Sequence, residues 1–280
     1  LRIAYLNLEK AKASLGVAEA SLLPGVNLNA SYTKAKTSGE TYTGQPQTRY
    51  RSSSINLGLN YEIDLWGRVR NSVLAANESL NASKFDYDSA RLSLSSSVAK
   101  SYFALVSLSM QEAVLKETLK TYEDTLALRK TQLDLGGINE MTYLQSKAEV
   151  ERAKTSLTSV LNSKSQALTS LAILTGKSND EILKGAVASA QNLPSSPEIK
   201  AGISSDVLLR RSDVAKALAD LKATNALVGV AKADYFPTIS LTGLLGFTSI
   251  DFENIFVGNA NTWNIGGSLA QKIFDYGRTK

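Results

Sequence analysis

Two stretches of the chain change their periodicity at a proline. In LGVAEASLLPGVNL (Leu15–Leu28) and VGVAKADYFPTISL (Val228–Leu241) a helical pattern gives way to strict apolar–polar alternation. Placing Gly16 on Gly229 brings into step Val17/Val230, Ala18/Ala231, Ala20/Ala233, Pro24/Pro237 and Leu28/Leu241. Farther along, IDLWGR (Ile63–Arg68) resembles IFDYGR (Ile273–Arg278). The unit helix, Pro, strand, polar loop, strand, aromatic-Gly-Arg, helix therefore occurs twice.

The strands are two-faced. Val26, Leu28, Ala30 and Tyr32 alternate with Asn27, Asn29, Ser31 and Thr33. In the next strand, expected over 55–65, Ile55, Leu57, Leu59, Tyr61, Ile63 and Leu65 share a face opposite Asn56, Gly58, Asn60, Glu62 and Asp64. The second pair is expected over 238–247 and 264–274, with polar loops at 34–54 and 248–262. Such strands suit a membrane barrel with lipid outside and water inside. An antiparallel sheet packed on a soluble core is the alternative. Four strands are too few to close around water. Lipid-exposed edges are excluded, so in a membrane sister copies must supply the rest, and three copies would give twelve strands.

Residues 68–135 and 138–175 contain neither Gly nor Pro. Helices of those lengths would span about 100 Å and about 57 Å. A heptad seam of the first reads Val73, Leu80, Tyr87, Leu94, Ser101, Leu108, Leu115, Tyr122. Three residues on it reads Ala76, Ser83, Ala90, Ser97, Ala104, Gln111, Thr118, Thr125. Large alternating with small suits many helices packed side by side, though a two-helix coiled coil is equally open. DLGGINE (Asp134–Glu140) turns one helix into the next, with Gly136 or Gly137 in the left-handed conformation. Residues 176–205 read as irregular, and a further helix is expected over 206–235 with Asp206 as its N-cap.

Composition then removes whole classes of chemistry. The chain has 280 residues, a formal charge of +5, no Cys and no His. That excludes disulfides, thiolate nucleophiles and every triad that needs an imidazole. Lys and Arg scatter along helix faces, so nucleic-acid binding is not expected. No apolar run approaches the roughly 20 residues of a spanning helix. The sequence starts within a helical pattern and stops at YGRTK, which reads as a segment of a longer chain.

The repeat, with GLNYEIDLWGRVR, GISSDVLLRRSDV and DYFPTISLTGLLGF, resembles the outer membrane factors of tripartite efflux pumps, the TolC and OprM family. The likeness is greatest to members that partner resistance-nodulation-division (RND) transporters. It implies a mixed α/β membrane protein in which a long antiparallel α-helical barrel in the periplasm continues into a trimeric, 12-stranded transmembrane β-barrel. Residues 1–24, 67–175, 206–236 and 276–280 would belong to the helical barrel, 25–66 and 237–275 to the β-barrel and its external loops, and 176–205 to an equatorial segment.

It further implies a passive exit channel for small toxic compounds in the outer membrane, reached through a periplasmic adaptor and driven by an inner membrane RND transporter. Neither enzyme activity nor a cofactor is implied, and N-terminal lipidation stays open. The channel of a type I protein-secretion system is the alternative within this architecture, and a soluble coiled-coil adaptor with a small β domain the alternative outside it. The family's tip motif falls on Gly136, Gly137, Ile138, Asn139, Glu140, Met141 and Thr142, the expected adaptor contact, with Asn139 where relatives carry Ser. The motif RRPDI appears as Arg210–Val214 without its Pro.

Pro24, Gly67, Arg68, Pro237, Gly277 and Arg278 are the helix–strand junctions of this scheme, and Glu62, Asp64 and Lys272 are its lumen-facing charges. Glu123 and Asp124, like Asn179–Glu181, read as solvated faces rather than cation ligands. Gly16 and Gly229 read as points of close helix approach, and Trp66 and Trp263 as anchors at the membrane interface.

Overall fold

The computed structural model describes residues 1–38, 48–183, 198 and 205–277. Helix α1 (Arg2–Ala20) leads into β1 (Gly25–Lys36), and β1 turns back as β2 (Arg49–Glu62). Next come the 67-residue α2 (Arg68–Asp134), α3 (Glu140–Thr175) and the single turn α4 (Asn179–Ile182). A 3-10 turn at Ser205–Arg210 precedes α5 (Ser212–Ala233), β3 (Thr238–Ser249) and β4 (Asn261–Ala270).

The two proline switches fold alike. After α1 the amides of Leu22 and Leu23 bond to Glu19 O and Ala20 O at 3.0 and 3.1 Å. After α5 the repeat-equivalent Tyr235 and Phe236 bond to Lys232 O and Ala233 O at 3.3 and 3.0 Å. Each helix tightens into 3-10 turns because the residue before a proline is driven out of the α region. The strand starts at the next residue, Gly25 or Thr238, and runs 12 residues in both copies.

The four strands form one antiparallel sheet in the order β1-β2-β3-β4. Register gathers the alternating residues into two faces. Leu28 lies opposite Leu57, Leu57 opposite Leu245 and Leu245 opposite Trp263. On the other side Asn29 meets Asn56, and Ser31 Oγ lies 2.8 Å from Ser54 Oγ. The apolar face is uncovered: Leu28, Trp263 and Ile265 are 70%, 71% and 74% exposed. Gly246 is required by the pairing, since a Cβ there would collide with the Ile55 carbonyl and the Asn56 side chain.

Strand bounds differ from the alternation. β1 starts one residue sooner and runs to Lys36. β2 occupies 49–62 instead of 55–65, because pairing with β1 carries it through the polar run Arg49–Ser54. β3 extends to Ser249, and β4 covers 261–270 instead of 264–274. The β1–β2 connection is thus 37–48, of which 39–47 lie outside the described residues. The β3–β4 connection is not simply polar, because Ile255 is fully buried there and Phe256 meets Phe247 edge-on at 5.6 Å.

Contacts divide the chain into two compact units, with the cut inside α2: one is 89–204 with Leu1, the other 2–88 with 205–280. In the first, Leu105, Leu171 and Ile182 form a buried cluster joined by Val98, Tyr102, Ala167, Leu168 and Ala172. Leu105 and its buried neighbour Val106 lie off both heptad seams. Large seam residues from Val73 to Leu115 are buried or half-buried, whereas Ser97, Ala104 and Gln111 of the small seam are exposed. In the second, Ala219, Ala223, Ala226 and Ala233 are the buried stripe of α5. Asp206 sits inside the 3-10 turn and does not cap α5, whose N-cap is Arg211. Most of 176–205 lies outside the described residues.

Candidate functional site

The turn between α2 and α3 is built by two glycines and an asparagine. Gly136 takes φ +72°, its amide bonds to Leu133 O at 2.9 Å, and Gly137 N bonds to Gln132 O at 2.7 Å. This pair of bonds is the Schellman closure, and it satisfies carbonyls that the end of α2 leaves free. Asn139 then caps α3: its Oδ1 accepts from Thr142 N at 2.9 Å and from Thr142 Oγ1 at 2.8 Å. Asn139 thus supplies the cap itself. α3 starts at Glu140, two residues later than expected, because Asn139 holds extended angles as an N-cap must. Glu140 places its charge in the first turn, where the helix dipole favours it. Ile138 is half-buried, while Met141 and Leu135 are 64% and 82% exposed. The turn thus presents apolar side chains to solvent from a rigid, hydrogen-bonded base.

The first strand-to-helix junction is an ionic knot. Arg68 donates through Nε and Nη2 to Glu62 Oε1 and Oε2 at 2.7 and 2.5 Å. Asp64 lies beyond the end of β2, not on its polar face as the longer strand would have placed it. Its Oδ1 and Oδ2 accept from Val69 N and Arg70 N at 3.0 and 2.9 Å. These are amides of the first turn of α2, and Gly67 at the cap position has no side chain to serve them. Burial raises the Asp64 pKa, but the two amides and the Arg70 guanidinium outweigh it and hold the carboxyl below its usual value. Glu62 is thus paired with Arg68. Lys272 lies past the end of β4 and is exposed.

The second junction shares its glycine angle with the first but not the residue before it, because Tyr276 takes φ +58° and Trp66 does not have a positive φ. Gly67 and Gly277 both take φ +80°, an angle that L side chains rarely adopt. Arg278 lies outside the described residues. Trp66 locks the two repeat units together: its Nε1 donates to Pro237 O at 2.8 Å, and its ring stacks on Phe236 with centroids 4.7 Å apart. Trp66 is thus engaged within the chain while remaining 42% exposed, whereas Trp263 stands open on the apolar face. A Cβ on Gly229 would lie 2.7 Å from Asn71 Cγ, so α5 and α2 approach there as closely as expected. At Gly16, its repeat equivalent, nothing lies within 4 Å.

Among the described residues no cluster of carboxylates suited to a metal ion forms. No helix among them is long and apolar enough to cross a membrane. The uncovered sheet is the surface suited to lipid.

Comparison with known proteins decides the family. The pattern of the outer membrane efflux proteins matches residues 1–177 and 203–280. The chain belongs to that family. Membership places it in the outer membrane. All of the chain aligns with 58% of the toluene efflux pump outer membrane protein TtgC of Pseudomonas putida, at 32% identity. It aligns likewise with 60% of the cation efflux system protein CusC of Escherichia coli, at 29%. The Campylobacter jejuni CmeC outer membrane channel superposes over 99% of this chain and 59% of its own, with TM-score 0.91 and 33% identity. The chain spans about three-fifths of the length of these relatives.

Proposed function

We propose that this protein is the outer membrane exit channel of a tripartite efflux pump for small toxic compounds. Three copies would close a twelve-stranded barrel, with the helices extending into the periplasm. An inner membrane RND transporter would supply the energy, and a periplasmic adaptor would engage the turn at Gly136–Thr142. Conduction needs no covalent step. The chain's task is to hold a water-filled path open through lipid.

The observation that carries this reading is the sheet itself: one face apolar and mostly bare, the other lined largely by Asn and Ser, and both edge strands unpaired. In water such a face is an aggregation surface. In lipid it is at home, provided that another copy pairs the edges. The internal repeat supports one way of pairing them. β3 of the second unit sits on β2 of the first through Trp66, Phe236 and Pro237. β1 of one copy would sit on β4 of the next in the same manner, with Tyr276, now 93% exposed, in the place of Trp66. Gly229 follows Gly16 by 213 positions and Gly277 follows Gly67 by 210. Those offsets carry the pair Leu59↔Gly243 to Leu269 opposite Ala30 of the neighbour, two residues of the apolar face.

The efflux role is tested by deleting the gene and measuring susceptibility to organic solvents, antibiotics and metal cations, alongside protein secretion. Sensitisation to organic compounds is expected. Unchanged sensitivity with lost secretion would overturn it, and sensitisation to cations alone would move the cargo to metal ions, as the name of CusC indicates for that relative.

A further inference from the structure

Four cations stand together at the end of the sheet remote from the helices. Lys34 lies directly opposite Arg51, and Lys36 directly opposite Arg49. All four are exposed, and none takes part in an ion pair with another described residue. Like charges facing each other across two strands are destabilising, and among the described residues no carboxylate is paired with them.

Their face gives the cluster its meaning. Along β1 one side of the strand reads Val26, Leu28, Ala30, Tyr32, Lys34, Lys36. Along β2 the same side reads Tyr61, Leu59, Leu57, Ile55, Ser53, Arg51, Arg49. The cations therefore continue the apolar rows and do not belong to the polar side of the sheet. From Tyr61 to Arg51 the strand advances about 34 Å, at roughly 3.4 Å per residue. A tilt of about 45° projects this to about 24 Å, close to the height of the apolar band of a membrane barrel. Arg51 and Lys34 then stand at the outer rim of that band, with the ring of Tyr32 one step below them. Arg49 and Lys36 stand about 5 Å farther out, at the depth of lipid headgroups.

We propose that Lys34, Lys36, Arg49 and Arg51 form a binding site for the phosphate groups of an anionic glycolipid in the outer leaflet. The inference rests on the proposed membrane orientation of the sheet. The acyl chains would lie against Leu28, Ala30, Ile55 and Leu57, and the phosphates would sit between the opposed cations and remove their repulsion. A dissolved anion would match the charges alone. A lipid matches both the charges and the apolar surface beneath them, on the same face.

The test compares the full-length protein with the variant Lys34→Gln, Lys36→Gln, Arg49→Gln, Arg51→Gln. Both are titrated in detergent with a bis-phosphorylated lipid A, with its monophosphorylated form, and with inorganic phosphate. The wild type is expected to prefer the bis-phosphorylated glycolipid, and affinity should fall roughly fivefold for each cation removed. Without glycolipid the variant should melt no lower than the wild type, since only repulsion has been taken away. A pair variant, Lys36→Gln with Arg49→Gln, should lose roughly 25-fold on the same count and guards against misfolding of the fourfold change. Equal glycolipid affinity in wild type and variants would overturn the proposal, and so would displacement of the lipid by millimolar phosphate.

The membrane orientation is checked separately. In a protein whose single thiol is introduced as Ile265→Cys, a spin label reports one site. A label accessible to oxygen and shielded from a polar relaxant confirms that the face lies in lipid, and a missing glycolipid preference then sinks the headgroup site alone. A label open to the polar relaxant sinks the orientation and the site with it.

Discussion

The leading halves of the two repeat units share a code and differ in their surroundings. α1, Pro24 and β1 match α5, Pro237 and β3 in helix ending, strand length and strand start. Yet α5 buries four alanines and fits Gly229 against Asn71, whereas no residue of α1 is buried and Gly16 faces open space. Local sequence sets the shape of each half, and position in the sheet sets whether it is covered. β3 is an inner strand seated on the end of β2, and β1 is an edge. The half that is bare within one copy is the half that the proposed assembly would cover.

The largest effect should come from filling the two glycines. Gly229→Leu drives a side chain into Asn71, and overpacking of this kind costs about 1–3 kcal/mol. Gly16→Leu has room in a single copy and gains up to about 1 kcal/mol of helix propensity. Its penalty should appear only as weakened association. Denaturant unfolding of dissociated protein, beside a native gel of the assembled form, separates the two outcomes. Equal destabilisation by both changes would break the comparison.

Next in size is the cap that starts α2. Asp64→Ala frees the amides of Val69 and Arg70 and should cost about 1–2 kcal/mol, measured as a lower unfolding midpoint at neutral pH. Somewhat smaller, Trp66→Phe keeps the ring stack on Phe236 but leaves Pro237 O without its donor, at a cost of about 1 kcal/mol. Tyr276→Phe should leave a single copy unchanged and lower only the concentration stability of the oligomer.

The smallest effect serves as a control outside the repeat. Glu112 accepts from Lys164 and pairs with Lys116, both at 2.6 Å. Lys116 first and then Lys164 hold its carboxyl below the ordinary 4.5. A depressed folded-state pKa contributes stability above the unfolded value and loses it as pH falls through the folded one. Unfolding midpoints should therefore drop below about pH 4.5 in the wild type, and Glu112→Gln should remove that part of the decline.

Much of this architecture was legible in the sequence because period and punctuation are local. Prolines 24 and 237, glycines 67, 136 and 277, and the alternation of the strands each act within a few residues. What escaped depends on partners distant in the chain. Leu105 is buried with Leu171 and Ile182 and not by a heptad neighbour. Asp64 continues the alternation of β2 but serves an amide five residues on. Trp66 reads as a surface anchor until Pro237 is brought beside it. The cations Lys34, Lys36, Arg49 and Arg51 are spaced by two in each strand, a signal present in the sequence, but only the register makes them one cluster.

Cross-linking tests the central claim most directly. A protein carrying Leu269→Cys and Ala30→Cys, treated in membranes with a short bismaleimide, should yield covalent species ending at three copies. Leu269→Cys with Ser31→Cys, which stand on opposite faces, should yield far less. Equal yields from the two pairs, or no linkage between copies at all, would contradict a barrel closed by pairing β4 of one copy with β1 of the next.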